Sequence, residues 1–94
     1  MDNKKELEEL RARIDGCDAR IIKLLEERLE IVHKIAGYKI KTGTEIFDGE
    51  RENEILNKTS SRVENPALTP YITEIFKGII SSSKAYQKKI YYEM

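Results

Sequence analysis

Residues 7–38 read LEELRARIDGCDARIIKLLEERLEIVHKIAGY, and the spacing of the apolar residues in this stretch decides the fold. They recur on a seven-residue repeat, with Leu7, Ile14, Ile21 and Ile35 at one seam position and Leu10, Cys17, Leu24, Ile31 and Tyr38 at the other. Such a repeat predicts one long helix with an apolar stripe along it. One slot of the stripe holds Arg28 instead. A guanidinium keeps its proton, so burying it requires an anion or a set of acceptors. Its helical neighbours Leu24, Leu25, Ile31 and Val32 are all apolar, so the counter-charge must come from another segment, another chain or a ligand.

Lys39 repeats the pattern. It follows Arg28 by close to three helical turns, which puts the two cations on the same side of the helix about 16 Å apart. Ile35, Ala36, Thr42 and Gly43 surround it, again without a carboxylate. Two cations on the inward side of one helix point to a pocket for an anion with more than one charged group. The competing structural reading is that Arg28 sets coiled-coil register and that Lys39 extends its ammonium to water.

The first helix is expected from about Lys4 to about Lys41, a length of roughly 55 to 60 Å. A compact chain of this size measures only about 30 Å across. The helix would overhang its own domain, and an apolar seam on the overhang needs a cover. A second copy related by a two-fold axis is the usual solution, which predicts a homodimer. Gly16 costs this helix about 1 kcal/mol relative to alanine, which the packed seam can absorb.

Beyond it, residues 43–47 read as a loop, and Asp48 as the N-cap of a short helix that opens with Gly49, Glu50, Arg51 and Glu52. Ile55 and Leu56 supply its apolar side, and it should fade between Ser60 and Val63, before a break at Asn65 and Pro66. Thr69 followed by Pro70 reads as a cap and first helical position for a third helix running to Tyr91 or Tyr92. Its seam is Ile72, Phe76, Ile79, Tyr86 and Ile90, interrupted by Ser83, with Gln87 one turn further on. Ordinary helix–helix hydrogen bonding would also account for Ser83 and Gln87. The fold class predicted is all-α, with one very long, one short and one medium helix. Ninety-four residues make one domain, so a single domain over residues 1–94 is expected.

Seventeen basic residues balance seventeen acidic ones, and the two signs are interleaved. A nucleic-acid surface calls for a basic excess, so no nucleic-acid partner is expected. No stretch is apolar enough to span a membrane and the first residues are polar rather than signal-like, so a cytoplasmic protein is expected. The lone Cys17 is expected as a small buried apolar group on the seam, and His33 as a solvated group on the outward side. Neither has the companions a metal site needs, so no metal is expected.

If the helices share a core, their interrupted seams bring arginine, lysine, hydroxyl and amide groups together, with Asp48 and Glu52 at the start of the second helix. That set lacks a nucleophile and suits a reaction driven by positioning and charge stabilisation. The chain resembles the all-α (type II) class of chorismate mutase from about Leu7 to Ile90. The resemblance lies in Leu10, Arg11, Ala12, Arg13 and Ile14 with Asp15 and Asp18, in Leu24, Leu25, Glu27 and Arg28, in Lys39, in Asp48 to Glu52, and in Ser83 with Gln87. It implies an isomerase that converts chorismate to prephenate by an intramolecular Claisen rearrangement, in phenylalanine and tyrosine biosynthesis. It further implies an intertwined helical homodimer, no cofactor, and an arginine, matched by Arg11, lent to each active site by the partner chain.

On that resemblance Arg28 and the partner's Arg11 would hold the two substrate carboxylates, with Ser83 assisting. Lys39 and Gln87 would donate to the ether oxygen, and Glu52, with Asp48 nearby, would accept from the ring hydroxyl. Arg51 would arrange these carboxylates, and Ile35 and Ile80 would form apolar walls. Arg11 also has possible helix partners in Glu8 and Asp15, and the cap reading of Asp48 can coexist with a substrate contact. Two rival readings compete. One is a lyase on the same scaffold that removes pyruvate from isochorismate, which the carboxylate of Glu52 disfavours. The other is a non-catalytic dimerisation module, in which Arg28 and Lys39 would pair with protein carboxylates and tolerate leucine or methionine.

Overall fold

A computed structural model describes residues 3–93, so the outermost ends of the expected 1–94 domain lie outside the described residues. The element order is α1 (Asn3–Thr42), α2 (Gly49–Arg62), a single 3-10 turn (Pro66–Leu68) and α3 (Thr69–Glu93), with no strand among the described residues. The chain is therefore all-α, as expected. By internal packing it falls into two units, Met1–Ile31 and Val32–Met94.

The described part of the first unit is the N-terminal stretch of α1. Glu6 lies in the first turn of α1, where negative charge suits the helix dipole. The heptad stripe is exposed here: Leu7, Leu10, Ile14, Ile21, Leu24 and Ile31 all stand open to solvent. Cys17, expected to be buried, is exposed as well, and the Arg20 guanidinium donates to its sulfur at 3.4 Å. The reason is shared: Cys17 belongs to the stripe, and the stripe is uncovered.

The second unit holds the end of α1, then α2, the 3-10 turn and α3. Both α2 and the 3-10 turn pack on α3. Its most buried residues are Val32 and Ala36 from α1, Thr59 from α2, and Ile80 and Ser83 from α3. The α1 residues that go inside therefore lie beside the heptad stripe, whereas Ile35 and Tyr38 on the stripe remain exposed at 42% and 64%. Val32 and Ala36 sit one turn apart, and their small or β-branched side chains permit close packing. On α3 the expected seam is the inward one: Ile72, Phe76, Ile79, Tyr86 and Ile90 are half-buried around Ile80 and Ser83. His33 is exposed, as expected, though its ring stands 6.3 Å from that of Tyr86.

Local chemistry explains the element limits. At the end of α1, Gly43 takes φ 70°, Thr44 N–H donates to the Lys39 carbonyl at 2.9 Å, and Gly43 N–H to the Ile40 carbonyl at 3.4 Å. This pair of bonds is a Schellman motif, which favours glycine because a left-handed backbone crowds any Cβ. Asp48 caps α2 by accepting from Arg51 N–H at 3.0 Å. The 3-10 turn, absent from the sequence expectation, is capped by Asn65, whose side chain accepts from Ala67 N–H at 3.1 Å. It leads straight into α3, so Thr69 already has helical backbone and is the first residue of the helix rather than its cap. The shift is one residue.

Candidate active site

The polar centre of the second unit forms where the last turn of α1 meets α3. Lys39 is half-buried, and its ammonium donates to the Ile46 carbonyl at 2.9 Å and to Gln87 Oε1 at 3.0 Å. One partner lies 7 residues on in the loop and the other 48 residues on in α3, so two separate segments specify the position of one side chain. A lysine ammonium has three N–H donors and no lone pair. Two are used here, leaving one for a ligand. The same geometry orients the amide: Gln87 must turn its oxygen towards Lys39, so its Nε2 becomes the remaining donor. Lysine and glutamine are thus held as a pair that can offer N–H groups to a developing negative charge.

The start of α2 carries carboxylates, among them Asp48 at the cap and Glu52 in the first turn. Glu52 is half-buried, and its Oε2 accepts from the Lys84 ammonium at 3.2 Å, with side-chain exposures of 28% and 30%. Lys84 had no part in the sequence reading. Asp48 is exposed and occupied as the helix cap. Arg51, expected to arrange these carboxylates, directs its guanidinium to Glu54 at 2.8 Å, and only its backbone N–H reaches Asp48. Glu54 also takes Lys58 at 2.8 Å, and its carboxyl is held below the usual carboxylate range first by the Lys58 hydrogen bond and charge and then by Arg51. Ser83 is buried and donates to the Ile79 carbonyl at 2.8 Å. Ile80 is buried on the same helix.

In the first unit, Arg28 is half-buried and Arg11 is exposed. Arg11 forms no salt bridge with Glu8 or Asp15 among the described residues. No cluster of three or more histidine, cysteine, aspartate or glutamate side chains able to hold a metal ion occurs among the described residues. No described helix is long and apolar enough to cross a membrane.

An all-helical chain with a lysine–glutamine donor pair and a lysine-paired carboxylate is equipped to grip a small polar anion by hydrogen bonds and charge. The family model for chorismate mutase type II matches residues 10–88, and the chain belongs to that family. It is 40% identical over 91 residues to a bifunctional chorismate mutase/prephenate dehydratase of Buchnera aphidicola subsp. Schizaphis graminum, covering 96% of this chain and 24% of that protein. A bifunctional chorismate mutase/prephenate dehydratase of Aquifex aeolicus is 34% identical over 90 residues, covering 92% and 25%. A chorismate mutase of Methanocaldococcus jannaschii is 33% identical over 86 residues, covering 90% of this chain and 87% of its own length. The chain thus spans about a quarter of the bifunctional relatives and most of the archaeal one.

Proposed function

We propose that this chain converts chorismate to prephenate in phenylalanine and tyrosine synthesis, and that it acts in the cytoplasm as an intertwined homodimer of 1–94 domains. The observation that carries the reading is the Lys39–Gln87 pair, whose geometry leaves one ammonium N–H of Lys39 and the amide NH2 of Gln87 for an acceptor. The rearrangement breaks an ether carbon–oxygen bond as a carbon–carbon bond forms within the same molecule, so no proton, nucleophile or external electron is needed. Negative charge grows on the ether oxygen, and the two fixed donors stabilise it there. A well-placed donor of this kind is worth about 3 to 4 kcal/mol of barrier, and holding a flexible substrate in its reactive, chair-like conformer about 7 to 11 kcal/mol in favourable cases.

The remaining roles rest on the sequence resemblance. Arg28 and the partner subunit's Arg11 take the two carboxylates, with Ser83 assisting. Glu52 accepts the ring hydroxyl, Asp48 contributes from the cap, and Arg51 supports the α2 end of the site. The exposed apolar stripe from Leu7 to Tyr38 supports the dimer, since a long uncovered stripe on one helix face is what a second copy would bury. The family match spans residues 10–88, and so runs through both packing units, which supports one functional domain.

The test is to incubate the purified chain with chorismate and identify the product. Prephenate without added cofactor is the expected result. Inertness towards chorismate, together with pyruvate release from isochorismate, would replace the mutase by the lyase. Inertness towards both, from a folded dimer, would favour the interaction module.

A further inference from the structure

Lys84 joins three pieces of the second unit. It projects from α3, its ammonium meets Glu52 of α2 at 3.2 Å, and it stands 5.2 Å from the centroid of the Phe47 ring in the loop between α1 and α2. The ring in turn covers the start of α2: a methyl group placed on Gly49 would lie 3.2 Å from its edge. Two attractions of different kind, an ion pair and a cation–π contact, therefore fix one ammonium against α2 and its approach loop.

The pairing is one-sided. Lys84 takes Glu52 Oε2, while Oε1 accepts no hydrogen bond among the described residues. A carboxylate beside a site for a dianion would repel its ligand unless a cation cancelled its charge. Lys84 supplies that cation and leaves one oxygen able to accept a hydroxyl. We propose that Lys84 is a positioning residue that balances the charge of Glu52 and aims its carboxylate, so that substrate recognition at the ring hydroxyl depends on the Lys84–Glu52 pair. The inference rests on the chorismate reading of the site.

A ring hydroxyl is held to a similar degree in substrate and transition state, so the pair acts mainly on binding. Replacing Lys84 by methionine keeps its apolar stem and removes the charge. Lys84→Met is expected to raise KM for chorismate roughly tenfold with kcat changed less than about threefold, and Lys84→Arg to recover most of the loss. In a Glu52→Gln background, Lys84→Met should add no more than about a twofold effect, because its partner carboxylate is already gone. Circular dichroism checks the fold of each variant, and Lys84→Gln replaces Lys84→Met if the latter loses helix. Loss of helix in both would show a structural part and overturn the proposal. So would an unchanged KM in folded Lys84→Met, or a KM effect of equal size in the Glu52→Gln background. Should the native chain leave chorismate unchanged, the reading of the reaction falls, and this inference with it. Prephenate formed by native protein and by Lys84→Met with equal kinetics removes the inference alone.

Discussion

Lys39 is held at both ends, with its carbonyl accepting from Thr44 N–H and its ammonium donating to Ile46 and Gln87. Replacing it by alanine removes a donor from the breaking bond and is expected to lower kcat by at least about 10²-fold, measured by chorismate consumption in protein whose circular dichroism is unchanged. Near-native turnover would remove Lys39 from the chemistry. Gln87 gives a second, independent check, because an amide does not titrate. Native activity should stay nearly level from about pH 5 to about pH 7.5, whereas Gln87→Glu should lose activity as pH rises, since only the protonated acid can donate. A level profile in that variant would contradict the donor role. Lys39 was legible as a cation on the inward side of α1, Gln87 from its place one turn after the seam break at Ser83, and Glu52 as negative charge in the first turn of α2. Lys84 was not, because its partner lies 32 residues away and an exposed-looking lysine carries no periodic signal.

Among the elements, the Schellman end of α1 matters most to the site, because it turns the chain so that Ile46 reaches Lys39. Gly43→Ala meets no neighbouring atom, so its cost is backbone strain alone, expected at about 1 to 2 kcal/mol and read as a lowered Tm. Asp48→Ala removes the cap of α2 and should cost about 1 kcal/mol, while Asp48→Asn should keep most of it. Equal losses from both substitutions would mean that the charge, and not the cap, is what counts. The three helices were legible to within a residue or two because their ends carry strong capping chemistry: Gly43, Asp48 and the Asn65–Pro66 break. The 3-10 turn escaped because three residues set no period. The residues of α1 that its own chain buries escaped for a related reason. Val32 and Ala36 cover a single turn, and the longer heptad repeat outweighs them although its residues in the described chain are exposed.

At the scale of the whole molecule, the exposed heptad stripe and the exposed Arg11 find their explanation together if two copies pair along α1. Ile21→Glu places a charge on the stripe and should yield a monomer by sedimentation, with chorismate turnover lost in proportion to the dimer. A monomeric variant of full activity would confine the active site to one chain. The most direct measurement combines reaction, residues and assembly. Arg11→Ala and Arg28→Ala proteins are purified separately, assayed for prephenate formation, then unfolded together, refolded and assayed again. Each variant alone should be nearly inactive, and the mixture should recover roughly a quarter of the native activity, because half of the dimers formed carry one site with both arginines intact. A mixture that forms heterodimers by mass spectrometry yet stays as inactive as its parts would contradict a shared chorismate mutase site.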